Sequence, residues 1–195
     1  MQRRILIIDG HPDKREGRFI HACSQAYAVS AAQAGHLVKT IKVADFKFDW
    51  LKTNDDFLTG TPPSAIASAQ TDVAWCDHLV ILYPLWLGSM PALLKAFFEQ
   101  IMRPGFAFKS DPGGKLPKKL LAGKSARIVV TMGMPSLFYK WYYRAHSLKS
   151  LERNILAFVG VGPIRASIVG NVEGMGAVKR AAWIARLRRY AAAGI

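Results

Sequence analysis

Cysteine is scarce in this sequence, where Cys23 and Cys76 are the only two among 195 residues. They do not form a C-x-x-C pair, and no histidine cluster has the spacing of a metal site. A free cysteine behaves as a small hydrophobic residue, so both thiols are expected to be buried. We therefore predict no bound metal and a cytoplasmic protein, because the cytoplasm keeps such thiols reduced.

Apolar stretches long enough to cross a bilayer are also lacking. The one stretch that could be mistaken for a span, from Leu79 to Leu94, is uncharged but shorter than the roughly 18 residues that a span needs, and prolines and glycine interrupt it. The apolar run at the N-terminus ends at Asp9 without a cleavage site, which argues against a signal peptide. No repeat or linker divides the chain. We predict one soluble domain over residues 1–195, without a transmembrane segment.

Acidic residues are few: 13 Asp and Glu face 27 Lys and Arg, giving a formal net charge of +14. Such a balance implies attraction to phosphate groups, carried by a nucleic acid, an anionic membrane surface or a phosphorylated cofactor. The cations are spread along the chain and no nucleic-acid motif accompanies them, so we predict no nucleic-acid partner. Peripheral contact with a membrane or a membrane transporter stays open.

Short apolar runs typical of buried strands alternate with helical patterns along the chain. The chain opens with a strand at 5–8, a helix from Phe19 whose apolar face includes Ala22 and Val29, and a strand at 37–43. This β-α-β unit is typical of a parallel sheet. We predict an α/β fold, a doubly wound five-stranded parallel sheet of order 2-1-3-4-5 with helices on both faces. The remaining strands are expected at 79–83, 127–131 and 164–169, the helices at 64–75, 91–101, 147–159 and 176–193, and irregular connections at 46–63 and 106–119.

Ligands of such sheets bind beyond the carboxyl ends of the strands, where the strand order reverses. This rule selects three loops, at 10–18, 84–90 and 132–139. The first loop leads into a helix N-terminus, whose free N–H groups favour a phosphate. Gly17 allows close backbone approach there, and Arg18 adds positive charge. The alternative for this loop alone is a solvated basic turn.

The second loop presents rigid apolar surface with few charges. Such a surface suits a flat aromatic ligand whose polar edge is read by backbone groups. Trp86 or Leu87 could lie against the ring, and Gly88 would keep the rim open. The alternative is a turn that packs on the core.

A longer motif extends from this loop. Residues 83–95 read Tyr-Pro-Leu-Trp-Leu-Gly-Ser-Met-Pro-Ala-Leu-Leu-Lys, and the match continues through the Pro-Gly-Phe-Ala-Phe segment at 104–108. His11, Pro12 and Asp13 after the first strand also fit. The motif closely resembles the NAD(P)H:quinone reductase family, which includes modulators of drug activity and ancillary proteins of potassium-efflux systems. The likeness covers most of the chain and is weakest from Gly170 onwards.

The resemblance implies a flavodoxin-like homodimer that holds FMN, or alternatively FAD, at the three loops. NAD(P)H as co-substrate would reduce the flavin, and a quinone or similar small-molecule acceptor would take the electrons. It also implies which residues hold the cofactor. The phosphate and ribityl groups would be bound by His11, Gly17, Arg18 and Phe19. The ring would be held by Pro84, Leu85, Trp86, Leu87 and Gly88. The pyrimidine edge of the ring would contact Thr131, Met132, Gly133 and Met134.

Two further residues, Tyr139 and His146, match a tyrosine and a histidine that stabilise charge near the flavin in the family. A packing role for the tyrosine and an exposed loop position for the histidine are the alternative. The dimer is expected to bury the connection around Trp50 and a group of aromatic residues. That group consists of Phe138, Trp141, Tyr142 and Tyr143. A second function, a flavin-binding regulatory subunit of a transport system, stays open beside the enzyme.

Overall fold

A computed structural model describes residues 1–109 and 117–195 of the chain. Five strands form the central sheet, and every neighbouring pair is parallel. Their order is β2-β1-β3-β4-β5, which confirms the predicted doubly wound topology. The strands are β1 (Arg4–Asp9), β2 (Leu37–Lys42), β3 (His78–Pro84), β4 (Ser125–Thr131) and β5 (Ile164–Val169).

Helices cover both faces of this sheet. A short 3-10 turn, Val43–Asp45, follows β2, and a π-helical segment, Ser150–Leu156, interrupts the helical region before β5. The helices are α1 (Phe19–Gln33), α2 (Asn54–Leu58), α3 (Ser64–Trp75), α4 (Ala92–Ile101), α5 (Ser136–Trp141), α6 (His146–Lys149), α7 (Ala157–Val159) and α8 (Ala177–Ala192).

The side chains of each strand alternate between two cores, because successive residues of a strand point to opposite faces. On β1, Ile5 and Ile7 pack with α1 and α8, whereas Leu6 and Ile8 pack with α3, α4 and the helical region after α6. Every residue of β3 is buried. A strand buried on both faces needs such an uninterrupted apolar run, which is why its pattern stands out in the sequence.

Two local predictions were wrong in part. On α1 the buried face carries Ile20 and Tyr27, whereas Ala22 and Val29 are exposed, because the longer side chains bury more apolar area than alanine. The connection at 46–63 contains α2, which a capping box of Thr53 and Asp56 begins. The helix predicted at 147–159 is confirmed as a continuous helical stretch from residue 146 to residue 159, within which Ser150–Leu156 is π-helical.

The loop predicted at 106–119 contains a two-stranded antiparallel ribbon, Phe108–Lys109 with Lys118–Lys119. Residues 110–116 of that loop lie outside the described residues. Within the part of the chain that the structure describes, no helix is both long and apolar enough to cross a membrane.

Both cysteines are free and buried, as predicted. Burial raises the pKa of the Cys23 thiol to about 12 and that of the Cys76 thiol to about 11. Thiols with such values stay protonated at neutral pH, which is consistent with their place in the core.

Candidate functional site

The carboxyl ends of β1, β3 and β4 surround a cavity of about 440 Å³. β1 and β3 flank the point where the strand order reverses, which is where sheets of this kind bind ligands. All three loops that the sequence selects contribute to its wall. The lining residues are His11, Asp13, Arg15, Gly17, Arg18, Phe19, Ile20, Pro84, Leu85, Trp86, Thr131, Met132, Gly133, Val172, Glu173 and Arg180.

Gly10 allows the chain after β1 to run closely against β3. Its amide donates to the Leu82 carbonyl at 2.8 Å, and a Cβ at this position would lie 2.6 Å from Cδ2 of Leu94. His11 comes next, is 7% exposed, and meets the ring of Trp86 edge-on at 5.8 Å. Burial lowers the pKa of His11, and the neighbouring His21 lowers it further. The His11 ring is therefore neutral at neutral pH.

Asp9 and His21 form a pair beneath this loop. Oδ2 of Asp9 lies 2.6 Å from Nδ1 of His21, while Nε2 of His21 lies 2.8 Å from the carbonyl oxygen of Asp13. Asp9 is 1% exposed, and its Oδ1 accepts from the His11 amide at 3.2 Å. Sequence reasoning missed both residues of the pair. Two features of the sequence could have indicated the pair. An aspartate ends an otherwise apolar strand, and a histidine lies on the first turn of α1.

The carboxylate of Asp13 binds two arginines of the same loop. Its Oδ2 lies 2.7 Å from Nη2 of Arg15 and 2.5 Å from Nη2 of Arg18. Hydrogen bonds from Arg15 and then from Arg18 hold the pKa of this carboxyl well below its usual range. The two cations that could meet a phosphate thus already share one internal anion.

The start of α1 is open to the cavity. A Cβ on Gly17 would meet nothing within 4 Å, and Arg18 is the N-cap residue. Within the described chain, Arg18 makes no side-chain capping bond and the first turn holds no acidic residue. The free N–H groups of the turn are therefore available to an anion. The Arg180 guanidinium lies 5.2 Å from the ring centre of Phe19 at this end of the cavity.

A two-residue turn closes the loop after β3. The Trp86 amide donates to the Ser89 carbonyl at 2.8 Å, and the Ser89 amide donates back at 2.9 Å. Leu87 and Gly88 adopt φ of 44° and 79°, as a type I′ turn requires. Pro84, Leu85 and Trp86 line the cavity, whereas Leu87 is fully exposed at the tip. The structure thus brings Pro84 to Trp86 to the cavity and places Leu87 and Gly88 at its outer edge.

The loop after β4 is tied to the loop after β3. The amide of Leu85 donates to the carbonyl of Thr131 at 2.7 Å. Thr131, Met132 and Gly133 line the cavity. Met134 instead packs against the core with its side chain. The structure therefore brings together three of the four residues predicted for this edge.

Tyr139 and His146 lie away from this wall. Tyr139 is 2% exposed, its hydroxyl lies 2.8 Å from Oγ of Ser147, and it accepts from the Leu148 amide at 3.2 Å. His146 is exposed at the start of α6. Neither is among the described residues that line the cavity. Their catalytic role stays a prediction.

The connection between β5 and α8 forms a further wall that sequence reasoning missed. Nη2 of Arg180 donates to the Val172 carbonyl at 2.6 Å, and its Nε donates to the Met175 carbonyl at 2.9 Å. The Glu173 carboxyl carbon lies 3.6 Å from where a Cβ on Gly133 would be. The reversal rule selects only the loops after β1, β3 and β4. The predicted position of β5 beside β4 could have indicated this wall. Parallel neighbours end at the same edge of the sheet, so the loop after β5 lies next to the loop after β4.

The wall therefore has two chemically different parts. Pro84, Leu85 and Trp86 give a flat apolar surface, while Arg18 and the start of α1 give positive charge and N–H donors. The volume lies in the range of cavities that hold small cofactors. Cavities of about 590 Å³ between the ends of β1 and β2 and about 640 Å³ at the start of α8 are larger, but the loop after β3 lines neither of them. Among the described residues, no three His, Cys, Asp or Glu side chains are placed to hold a metal ion.

A parallel sheet of this order, with a cavity at its reversal point, defines a flavodoxin-like protein. The model of the family described as flavodoxin-like fold matches residues 3–193, and the chain belongs to this family. A putative quinone reductase from Klebsiella pneumoniae superposes with a TM-score of 0.84 at 19% identity, over 97% of this chain and 83% of that one. The NAD(P)H:quinone oxidoreductase from Methanothermobacter marburgensis gives 0.82 at 20% identity, over 98% of both chains. At such identities the likeness establishes the fold.

Curated relatives match shorter stretches. An uncharacterized NAD(P)H oxidoreductase from Haemophilus influenzae is 25% identical over 115 residues, 58% of this chain and 56% of that protein. The potassium-efflux ancillary protein KefG from Salmonella paratyphi B is 36% identical over 86 residues, 44% of this chain and 41% of that protein. The chain spans about half or less of the length of these relatives. The resemblance seen in the sequence is confirmed at the level of the family.

Proposed function

We propose that the protein is a flavin-dependent NAD(P)H oxidoreductase that reduces a quinone or a similar small acceptor. The observation that carries this proposal is the composition of the cavity wall, with a flat apolar surface at one part and an uncapped helix N-terminus with Arg18 at another. A flavin mononucleotide has the same two parts, a flat ring and a phosphate. Solved structural neighbours, such as the FMN-dependent NADH-azoreductase from Bacillus anthracis, support the choice of cofactor.

FMN is the cofactor that we assign, with FAD as the alternative. Arg18 and the first N–H groups of α1 would meet the phosphate, and Gly17 leaves room for its approach. His11 and Phe19 would lie along the ribityl chain. Pro84, with Leu85 and Trp86, would hold the ring, and the loop from Thr131 to Met134 would meet the pyrimidine edge through backbone groups.

A bound flavin would accept a hydride from NAD(P)H and pass two electrons to the acceptor. The chain's own contribution is placement. The Leu85 to Thr131 hydrogen bond fixes the two loops that flank the ring position, at 2.7 Å. Trp86 lines the cavity beside them and would cover one side of a bound ring. The neutral ring of His11 can offer an N–H group without adding charge.

The assembly that we propose is a homodimer in the cytoplasm. A cluster of exposed apolar side chains on and after α5 supports self-association, since clustered exposed apolar residues mark interfaces. Phe138 stacks on Tyr142 with ring centres 5.0 Å apart, and Trp141 is 82% exposed beside them. Trp50, on the connection after β2, is exposed as well.

The visible spectrum of the purified protein tests the function. We expect a yellow protein that releases FMN or FAD on heating and oxidises NADPH or NADH in the presence of menadione or benzoquinone. The variant Trp86→Ala should bind flavin more weakly, whereas Gln25→Ala on the exposed side of α1 should behave as wild type. A colourless protein that takes up neither flavin and leaves the nucleotide unoxidised would contradict the proposal.

A second candidate is a flavin-binding regulatory subunit of a transport system. The 36% identity with the KefG ancillary protein over 86 residues favours it, as does the net charge of +14, which suits an acidic partner or an anionic membrane. Pull-down of a membrane transporter at low salt, lost at high salt, would support this role. Turnover of NAD(P)H by the isolated protein is compatible with both candidates.

A further inference from the structure

A ring of hydrogen bonds joins Asp9 at the end of β1, His11 and Asp13 in the loop after it, and His21 on α1. Asp9 contacts His21, and His21 contacts the Asp13 carbonyl. The amide of Asp13 donates to Nδ1 of His11 at 3.0 Å, and the amide of His11 donates back to Asp9 at 3.2 Å. Each member therefore constrains the next, and the loop backbone from residue 9 to residue 13 is held at both ends.

The partners of His21 determine where its protons lie. A carboxylate oxygen and a backbone carbonyl oxygen can accept a hydrogen bond but cannot donate one. Nδ1 of His21 faces the Asp9 carboxylate at 2.6 Å, and Nε2 faces the Asp13 carbonyl at 2.8 Å. Both contacts are hydrogen bonds only if each ring nitrogen carries a proton, which makes the ring an imidazolium. The buried carboxylate of Asp9 supplies the compensating charge.

The same network sets the tautomer of His11. Its Nδ1 accepts from the Asp13 amide, so the single proton of the neutral ring lies on Nε2. The His11 and His21 ring centres are 5.2 Å apart, and the positive ring of His21 disfavours a second proton on His11. Among the described residues, Nε2 of His11 has no hydrogen-bond partner on the chain, although His11 lines the cavity. One unused N–H donor is therefore available there.

We propose that His21 is a doubly protonated positioning residue that fixes His11 as an Nε2–H donor to a phosphate or ribityl oxygen of the ligand in the cavity. The ligand part of this inference rests on the flavin site proposed above. His21 acts through Asp9 and Asp13 and does not itself line that cavity. Its effect is to hold the loop and to keep the donor nitrogen of His11 on the side away from Asp13.

Imidazole ¹⁵N NMR spectra of the protein without added ligand test the proton positions. We expect two protonated nitrogens for His21, and for His11 an unprotonated Nδ1 with a protonated Nε2. The variants His11→Gln and His21→Gln assign the signals. A neutral His21, or a His11 that carries its proton on Nδ1, would overturn the inference whatever the flavin result.

Flavin titration tests the consequence. His21→Ala removes both donors and should weaken FMN binding about tenfold, as expected for loss of a charge-assisted hydrogen-bond network. His21→Gln retains one amide donor for the Asp13 carbonyl and should recover part of the affinity. Gln25→Ala, one turn further along α1, is the control and should bind as wild type. Thermal unfolding of each variant shows that it is folded.

The outcomes separate this inference from the proposed function. If wild type binds FMN and His21→Ala binds it equally well, the positioning role is wrong and the function stands. If wild type binds neither FMN nor FAD, the proposed function and the ligand part of the inference both fail, whereas the ¹⁵N spectra still decide the proton positions of His21. Weakened binding together with a changed His11 tautomer in His21→Gln supports the inference.

Discussion

The carboxyl group of Glu173 lies over Gly133, its carbon 3.6 Å from the position that a Cβ on that glycine would take. Both residues line the cavity, as does the cation Arg180 on the first turn of α8. A carboxylate beside a site for a phosphorylated cofactor raises the free energy of the bound state. The acidic residue therefore opposes the ligand that the rest of the wall favours.

Replacing this acid should strengthen flavin binding. Glu173→Gln removes one negative charge at an exposed position, so we expect a gain in FMN affinity of about threefold at low salt, and less at high salt because ions screen the interaction. Fluorescence titration of FMN measures it. Asp55→Asn, which removes an exposed acid on α2 outside the cavity lining, is the matched control. Equal affinities of wild type and Glu173→Gln at low salt would contradict the prediction.

The tip of the loop after β3 stores local strain. Leu87 has φ of 44° although it is not glycine, and its side chain is fully exposed, so it gains little from burial. Leu87→Asn creates the Asn-Gly pair that a type I′ turn prefers. We expect stabilisation of about 1 kcal/mol and a rise in Tm of about 2–4 °C. Leu87→Val introduces a β-branched residue at the same positive φ and should lower the Tm. A lower Tm for Leu87→Asn would show that Leu87 is not strained.

The sequence was sufficient for the three central strands of the sheet because β1, β3 and β4 are buried almost throughout. Each contains a continuous apolar run, at 5–8, 79–83 and 128–130, so strand positions and the reversal rule together located the loops after β1, β3 and β4. Gly17, Arg18 and Trp86 were found in this way. What a strand pattern cannot give is the contact between distant loops. Glu173 reaches the cavity from the connection after β5 and Arg180 from the start of α8, and His21 on α1 contacts Asp9 at the end of β1.

The apolar spacing in the sequence also did not predict which side chains of a helix face the sheet. Ala22 and Val29 fit a helical apolar stripe, but the volumes of Ile20 and Tyr27 decide which face turns towards the sheet. The π-helical segment shifts the register between α6 and α7, and no residue pattern in 150–156 marks it. Local periodicity therefore predicts that a helix exists better than which residues it buries.

Tyr139→Phe distinguishes a packing role from a catalytic one. The hydroxyl contacts Ser147 and accepts from the Leu148 amide inside the core, so its removal should lower the free energy of unfolding by about 1–2 kcal/mol. From these contacts we expect turnover of NAD(P)H to change by less than about threefold. Urea unfolding and steady-state rates give the two values. A large fall in kcat at unchanged stability would instead support the catalytic role.

His78 makes the stability of the fold depend on pH. Burial first, and then the charges of Arg3 and Arg127, lower the pKa of this histidine to about 4 from an ordinary value of 6.5. As pH falls below 6.5, the unfolded chain takes up the proton before the folded one. The stabilisation is therefore complete above about pH 6.5 and is lost as pH falls towards 4, by about 3 kcal/mol in all.

The variant His78→Asn tests this dependence. The asparagine amide can still bond Oγ of Ser125, which lies 2.8 Å from Nδ1 of the histidine, but it does not titrate. Urea unfolding at pH 7 and pH 4.5 should show a loss for wild type that exceeds the loss for the variant by about 2 kcal/mol. Parallel pH profiles of the two proteins would show that another group is responsible.

The exposed cluster on and after α5 leads to a prediction about assembly. Phe138, Trp141 and Tyr142 are exposed side by side, and a large apolar surface of this kind is stabilised by burial against a second copy. Trp141→Glu places a charge at its centre and should convert a dimer into a monomer at micromolar concentration. Val178→Glu changes a similarly exposed apolar residue on α8 and should leave the dimer intact. Sedimentation velocity measures both, and a wild-type monomer would exclude this interface.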